Sequence, residues 1–302
     1  MKQSSLLMVA LIAYVGWAGC TREAPPPHGD TMSGITVSSD NKPTHTANDS
    51  ETKNAAAYNN RGLAKDTLGD YQGAIADFTK SIELDPKDST YYYNRGFTEN
   101  NLGDHQRAML DLNKSLVLDP KLAPAYVNRG FAKERLGDYH GAISDCNKAI
   151  ELNPKLAEAY YNRGLAKDTL GDYQGAISDY NKAIELEPKH VKSYYNRGLA
   201  KHTLKDYQGA MSDFNKTIEL DPKYAKAYIS RGVIRARSGD YQGAISEFNK
   251  AIELDPKDAT AYYNRGADKA NLGDMSGACQ DLSAAGKLGD PDAYSSMKKV
   301  CK

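Results

Sequence analysis

Several things are scarce in this chain of 302 residues, and each scarcity closes a route. There are only four cysteines, far below the density of small scaffolds held together by disulfides. The six histidines (His28, His45, His105, His140, His190 and His202) fall at unrelated places, so no metal-ligand spacing is present. No glycine-rich phosphate loop and no serine or cysteine nucleophile motif stands in a catalytic context, so no enzyme, metal or cofactor signature is present. Neither sign of charge is in excess: lysine plus arginine and aspartate plus glutamate number 39 each. A balanced chain lacks the basic stripe that phosphate backbones require, which argues against a nucleic-acid partner. The apolar run at residues 6–19 has fourteen apolar or small residues, short of the roughly 20 needed to span a bilayer.

What the chain has in place of these is repetition. The pattern Tyr-x-(Asn or Ser)-Arg-Gly begins at Tyr58, Tyr92, Tyr126, Tyr160, Tyr194, Tyr228 and Tyr262, always 34 residues apart. Gly-Asp-Tyr or a near variant follows at Gly69, Gly103, Gly137, Gly171, Lys205, Gly239 and Gly273, and six units close on a proline, from Pro86 to Pro256. Three landmarks on one ruler predict a stacked-repeat architecture, in which each unit contacts its neighbours and stability accumulates along the stack.

Counting the first unit from Ala55 as position 1, positions 4, 8, 11 and 14 (Tyr58, Gly62, Lys65 and Leu68) recur on one helical face, and 20, 21, 24 and 28 (Ala74, Ile75, Phe78 and Ile82) on another. Two amphipathic helices per unit are therefore expected. Gly69 suits the left-handed residue that ends the first helix, and the Asp70 carboxylate suits the free amides that open the second. Lys205 takes the glycine's place in the fifth unit, where a positive φ costs about 1 kcal/mol and a slightly distorted turn is expected. Glycine at position 8 and alanine at position 20 allow close approach of the paired helices.

This combination of period, Tyr-x-x-Arg-Gly, Gly-Asp-Tyr, Ala-Ile and Asp-Pro resembles the tetratricopeptide repeat family. The resemblance implies an all-α, right-handed α-solenoid of seven 34-residue helix-turn-helix repeats, at 55–88, 89–122, 123–156, 157–190, 191–224, 225–258 and 259–292, with a C-terminal cap at 293–302. It also implies a concave groove, lined by the first helices, that binds proteins or extended peptides and not small-molecule substrates. Arginine at position 7 departs from the family's usual apolar residue. An acid stands at position 23 of every unit (Asp77, Asp111, Asp145, Asp179, Asp213, Glu247 and Asp281), and the expectation is an ion pair within each repeat. The competing arrangement has the arginines lying along the surface with solvated heads.

Position 6 reads Asn60, Asn94, Asn128, Asn162, Asn196, Ser230 and Asn264, which resembles a ladder used by some relatives to grip a peptide backbone. A carboxamide both donates and accepts, so it can serve a peptide unit whatever its side chain; the same group can also bond within the scaffold. Tyr93, Tyr161, Tyr195 and Tyr263 at position 5 are expected beside the ladder, although packing between units is the other use for some of them. The tyrosines at position 4 are expected in the core. Asp66, Glu134 and Asp168 mark the first four units, and Lys192, His202, Lys226 and Arg237 mark the fifth and sixth, a weak indication of a ligand with a basic and an acidic half.

At the front, residues 1–19 read as a secretory signal peptide. Trp17-Ala18-Gly19-Cys20 resembles the lipobox of bacterial lipoproteins, with Trp17 departing from the preferred leucine; it implies lipidation at Cys20 and attachment to the membrane. Simple signal cleavage, giving a secreted soluble protein, and an uncleaved anchor are the alternatives. Residues 21–54 are poor in apolar side chains and rich in Pro, Ser, Thr, Asp and Asn, and are expected to form a disordered tether spanning roughly 30–40 Å. Cys146 is expected to be a buried thiol. A turn at residues 288–290 followed by a short terminal helix would bring Cys279 to face Cys301, where a disulfide would fasten the cap, and this segment also resembles the ends of some bacterial repeat lipoproteins. The expectation is thus an adaptor in the bacterial cell envelope, at the outer membrane facing the periplasm. An accessory subunit of an envelope enzyme or of a secretion or pilus machine is the runner-up, and a cytosolic co-chaperone is opposed by the signal segment.

Overall fold

The computed structural model describes residues 49–301, and side chains from residue 54. The expected signal peptide, Cys20 and the expected tether up to residue 48 lie outside the described residues. Fifteen helices and no strand occur among the described residues, which fall into two compact units divided between Pro188 and Lys189. In the first unit the helices are α1 (Asp49–Thr67), α2 (Tyr71–Leu84), α3 (Ser89–Leu102), α4 (His105–Leu118), α5 (Ala123–Arg135), α6 (Tyr139–Leu152), α7 (Ala157–Thr169) and α8 (Tyr173–Leu186). The second holds α9 (Val191–Thr203), α10 (Tyr207–Leu220), α11 (Ala225–Arg237), α12 (Tyr241–Leu254), α13 (Ala259–Asn271), α14 (Met275–Lys287) and α15 (Ala293–Val300).

Each 34-residue repeat is one helical hairpin, and the turn chemistry explains why. Gly69, Gly103, Gly137 and Gly171 end the first helices at φ between 79 and 88°, a region closed to most side chains. The carboxylates of Asp70, Asp104, Asp138 and Asp172 then accept from backbone amides three residues on, at 2.9–3.1 Å. Lys205 adopts the left-handed conformation at φ 65°, and its turn keeps the bonds of the glycine turns, Lys205 N to His202 O and Asp206 N to Lys201 O, each at 2.9 Å. The distortion expected there is therefore absent; the strain is held in the lysine backbone while the turn's hydrogen bonds are kept.

Within the first unit the hairpins stack in chain order, and α1, α3 and α5 each neighbour the next first helix. In the second unit the hairpins α9–α10, α11–α12 and α13–α14 also stack in chain order, α11 neighbours α13, and α15 closes on α14. Helix α1 begins at Asp49, so residues 49–54, assigned to the tether from sequence, belong to a helix. That stretch has no proline or glycine and leads into Ala55-Ala56-Ala57, which propagates a helix well.

Position 8 shows how closely the paired helices approach. A Cβ added at Gly164 would stand 2.8 Å from the ring carbon Cε1 of the buried Tyr180, whereas one at Gly130 would meet Ala142 O at 3.2 Å and Cys146 Sγ at 3.3 Å. Gly164→Ala should cost about 1–3 kcal/mol by overpacking, and Gly130→Ala clearly less, because a buried ring cannot retreat while a thiol leaves room. Thermal melts of the two variants check the order; equal costs would show that the ring position adapts.

Candidate functional site

The row of first helices is the face the repeat pattern offers for recognition, and its side chains divide by depth. Tyr93, Tyr161, Tyr195 and Tyr263, placed beside the ladder from sequence, are core residues: Tyr93 is 1 % exposed and packs with Ala108, Leu112, Leu116 and Ala125. Tyr161 packs with Tyr180, Tyr195 with Phe214, and Tyr263 with Leu282 and Ala293. The position-4 tyrosines, expected in the core, divide: Tyr160 and Tyr228 are buried there, and the other five are not. Tyr58, Tyr92, Tyr126, Tyr194 and Tyr262 stay partly exposed, and the guanidinium groups of Arg61, Arg129, Arg197 and Arg265 lie over the rings of Tyr58, Tyr126, Tyr194 and Tyr262 at 4.9–5.4 Å. The same stacking holds over the buried rings of Tyr160 and Tyr228, where Arg163 and Arg231 lie at 5.5 Å.

Those arginines are ion-paired in all seven repeats. Arg129 donates from Nε and Nη2 to the two oxygens of Asp145 at 2.9 and 2.6 Å, and the same fork recurs at Arg61–Asp77, Arg95–Asp111, Arg163–Asp179, Arg197–Asp213 and Arg265–Asp281. In the sixth repeat Arg231 reaches Glu247 at 2.7 Å. Two further partners were not anticipated from sequence. Lysine at position 11 joins the same acid (Lys65, Lys133, Lys167, Lys201 and Lys269, each at 2.8 Å), and the arginine's free Nη1 reaches back to the preceding repeat: Arg95 to Thr79, Arg129 to Asn113, Arg163 to Asn147. Asparagine recurring at position 25 was the available signal for this stitch.

Of the ladder residues, Asn60 is exposed while Asn94, Asn128, Asn162, Asn196 and Asn264 are buried. Some carboxamides are engaged in the scaffold: Asn94 Nδ2 donates to Asn59 Oδ1 at 2.8 Å, Asn128 Nδ2 to Tyr93 Oη at 3.2 Å and Pro124 O at 3.1 Å, and Asn264 Nδ2 to Thr260 O at 3.0 Å. Others are not. Asn59 Nδ2, Asn101 Oδ1, Asn128 Oδ1, Glu134 Oε2 and both polar atoms of Asn162 are buried with no hydrogen-bond partner among the described residues. Nearly all buried polar groups in folded proteins are paired, so a line of unpaired ones on successive first helices stands out from the rest of the scaffold.

The electrostatics follow burial. Burial pushes the carboxyls of Asp66 and Glu134 upward. In the second unit it raises Asp268 to about 7 and lowers His202 to about 4, the latter with help from Arg237. Cys279 and Cys301 are joined in a disulfide with Cα atoms 5.8 Å apart, linking α14 to the end of α15, and Cys146 is a buried free thiol. No group of three or more His, Cys, Asp or Glu that could hold a metal occurs among the described residues, and no described helix is long and apolar enough to cross a membrane.

Hairpins of fixed length in series, with their first helices side by side, define a helical-repeat interaction scaffold. The family follows from sequence matches: tetratricopeptide repeat models match residues 55–88, 123–156, 157–190 and 191–224, with further matches at 78–109 and, as a TPR repeat, at 234–273. Together these cover more than half of the chain, and the chain belongs to the tetratricopeptide repeat family. Among solved structures, a tetratricopeptide repeat protein from Parabacteroides merdae is 21 % identical over 83 % of this chain and 100 % of its own, with a TM-score of 0.61, a likeness of fold. Residues 41 to the end of MamA from Desulfovibrio magneticus are 26 % identical over 57 % of this chain and 97 % of their own, at a TM-score of 0.50. YrrB, described as a TPR protein with an unusual peptide-binding site, is 26 % identical over 61 % and 95 %, also at 0.50. No curated protein matches the chain.

Proposed function

We propose that this protein is a non-catalytic scaffold that binds an extended segment of a partner protein along its first helices, and that Cys20 tethers it to a bacterial cell envelope. The observation that carries the binding reading is the line of buried, unpaired polar atoms from Asn59 to Asn162. A bound strand supplies both donors and acceptors at regular intervals, which is what such a line lacks. The peptide-binding site of YrrB, a relative by fold and sequence, supports the same reading. Export is supported by the apolar leader before Cys20 and by the Cys279–Cys301 disulfide, a bond that persists in oxidising compartments.

Selection from a random peptide library against the full chain tests the scaffold. Selected peptides should bind about tenfold more weakly to Asn162→Ala, a loss typical of removing a central buried contact. Binders indifferent to Asn128→Ala and Asn162→Ala would move recognition off this face. For the tether, radiolabelled palmitate should enter the wild-type chain in a bacterial host and disappear in Cys20→Ala; equal labelling of both would dismiss lipidation at that residue.

A further inference from the structure

Position 12 of each first helix lies against the next repeat, and the first unit shows three ways of treating a polar group there. Asp66, on α1, accepts from Thr98 Oγ1 at 2.6 Å and is also bonded by the Asn101 side chain, both on α3. Asn100, on α3, donates from Nδ2 to the backbone oxygen of Asn128 on α5 at 3.0 Å. By the same repeat spacing Glu134, on α5, corresponds to a place facing α7, where Ala166 and Thr169 stand in the places of Thr98 and Asn101. Alanine has nothing to donate, and the Thr169 hydroxyl is already committed to Leu165 O at 3.0 Å. Glu134 Oε2 is accordingly left buried without a partner among the described residues.

A second, separate observation lies on α7. Asn162 is 4 % exposed and neither its Oδ1 nor its Nδ2 has a partner among the described residues. It occupies position 6 of its repeat, and position 6 is where the equivalent contact from the preceding repeat lands, as Asn100 on Asn128 shows. Glu134 and Asn162 therefore flank one junction, between α5 and α7. Burial holds the Glu134 carboxyl above its ordinary range, with the exposed Arg135 tempering the rise, which is the behaviour of an acid whose surroundings do not supply a counter-charge.

The balance of unpaired atoms decides what would fill the junction. On the first helices of the second to fourth repeats the unpaired acceptors include Glu99 Oε2, Asn101 Oδ1, Asn128 Oδ1, Glu134 Oε2 and Asn162 Oδ1, against the donor group of Asn162 Nδ2. An extended backbone brings N–H and C=O in equal number, so it cannot match a surplus of acceptors. The surplus asks for side-chain donors, and the acceptor that carries negative charge asks for a positive one. We infer that the α5–α7 junction receives the cationic head of a lysine or arginine from the bound segment, with Glu134 taking the charge and the Asn162 carboxamide taking one peptide unit. The inference rests on the scaffold reading and adds to it the chemistry of the partner: a segment with a basic residue.

Fluorescence anisotropy with the full chain tests it, using three labelled peptides of alternating alanine with lysine, serine or glutamate. The lysine peptide should bind about tenfold or more tightly than the serine peptide, the scale of one charge-assisted hydrogen bond. Glu134→Gln should bring the two together. Ala166→Thr, which offers Glu134 the hydroxyl that Thr98 offers Asp66, should narrow the gap in the same direction. Glu151→Gln, an exposed acid paired with Lys148, should leave the preference unchanged and so separates the junction from general attraction to an acidic protein. A lysine preference that survives Glu134→Gln overturns the cation receptor while the scaffold reading stands. If none of the three peptides binds, both fall.

Discussion

Asp145→Ala should lower the unfolding free energy by about 3–5 kcal/mol, the cost of leaving buried charge without its partner. Asp145 is 4 % exposed and holds two cations at once: the Arg129 fork at 2.9 and 2.6 Å and Lys133 Nζ at 2.8 Å. Removing the acid leaves both cations facing each other between α5 and α6, a worse outcome than losing one arm of a pair. Arg129→Ala should therefore cost less than Asp145→Ala, because Lys133 still neutralises the acid. The double variant should depart from additivity by about 0.5–3 kcal/mol, the range found for groups in one network. Glu151→Ala makes the contrast, since its pair with Lys148 is exposed and should be worth about 0–1 kcal/mol. Urea unfolding followed by circular dichroism measures all four. Strict additivity of Arg129→Ala and Asp145→Ala would mean that the fork is geometry without energy.

The same network shows how far the sequence could be read. The hairpins were legible because their signals are local: a residue that tolerates positive φ at position 15, an aspartate that caps at position 16, and two apolar faces between. The pairing of positions 7 and 23 was legible for the same reason, as both lie in one hairpin. The third and fourth members, lysine at position 11 and asparagine at position 25, were harder, because the arginine's free Nη1 crosses to the preceding repeat and one unit's periodicity does not show what its neighbour presents. Depth around position 7 misled for a related cause. Position 5 fills the core in these repeats while position 4 is buried only at Tyr160 and Tyr228, so Tyr93 and Tyr161 are buried where groove residues were expected. The asparagines mark the limit: Asn94 is engaged by Asn59, while Asn162, with the same spacing, has both polar atoms unpaired among the described residues. What separates them is the residue one repeat earlier, asparagine at 59 and valine at 127.

Repeat two carries the opposite kind of irregularity, and it sets the second large effect: Glu99→Lys should raise stability and flatten its dependence on pH. Position 11 is basic in the other six repeats, where it joins the position-23 acid, but in α3 it is Glu99, which sits near Asp111. Glu99 is 6 % exposed and its Oε2 has no partner among the described residues. Burial first, and the neighbouring Asp111 second, raise its carboxyl to about 8, against the opposing pull of Arg95. The ordinary glutamate value is about 4.3, so between that value and about 8 the folded protein holds a proton that the unfolded chain releases. Stability must then fall as pH rises through this window and level off above it. Glu99→Gln should remove that contribution, leaving the smaller fall due to Asp268, whose carboxyl is raised to about 7. Glu99→Lys should do so as well and supply Asp111 with the second cation its counterparts have, relieving a buried unpaired acceptor worth about 1–3 kcal/mol. Melting curves at pH 5 and pH 8 read both effects, each kcal/mol moving the midpoint by about 2–4 °C in a chain of this size. A wild-type slope that persists unchanged in Glu99→Gln would place the titrating group elsewhere, and a lysine variant no more stable than the glutamine one would show that Asp111 is already satisfied by Arg95.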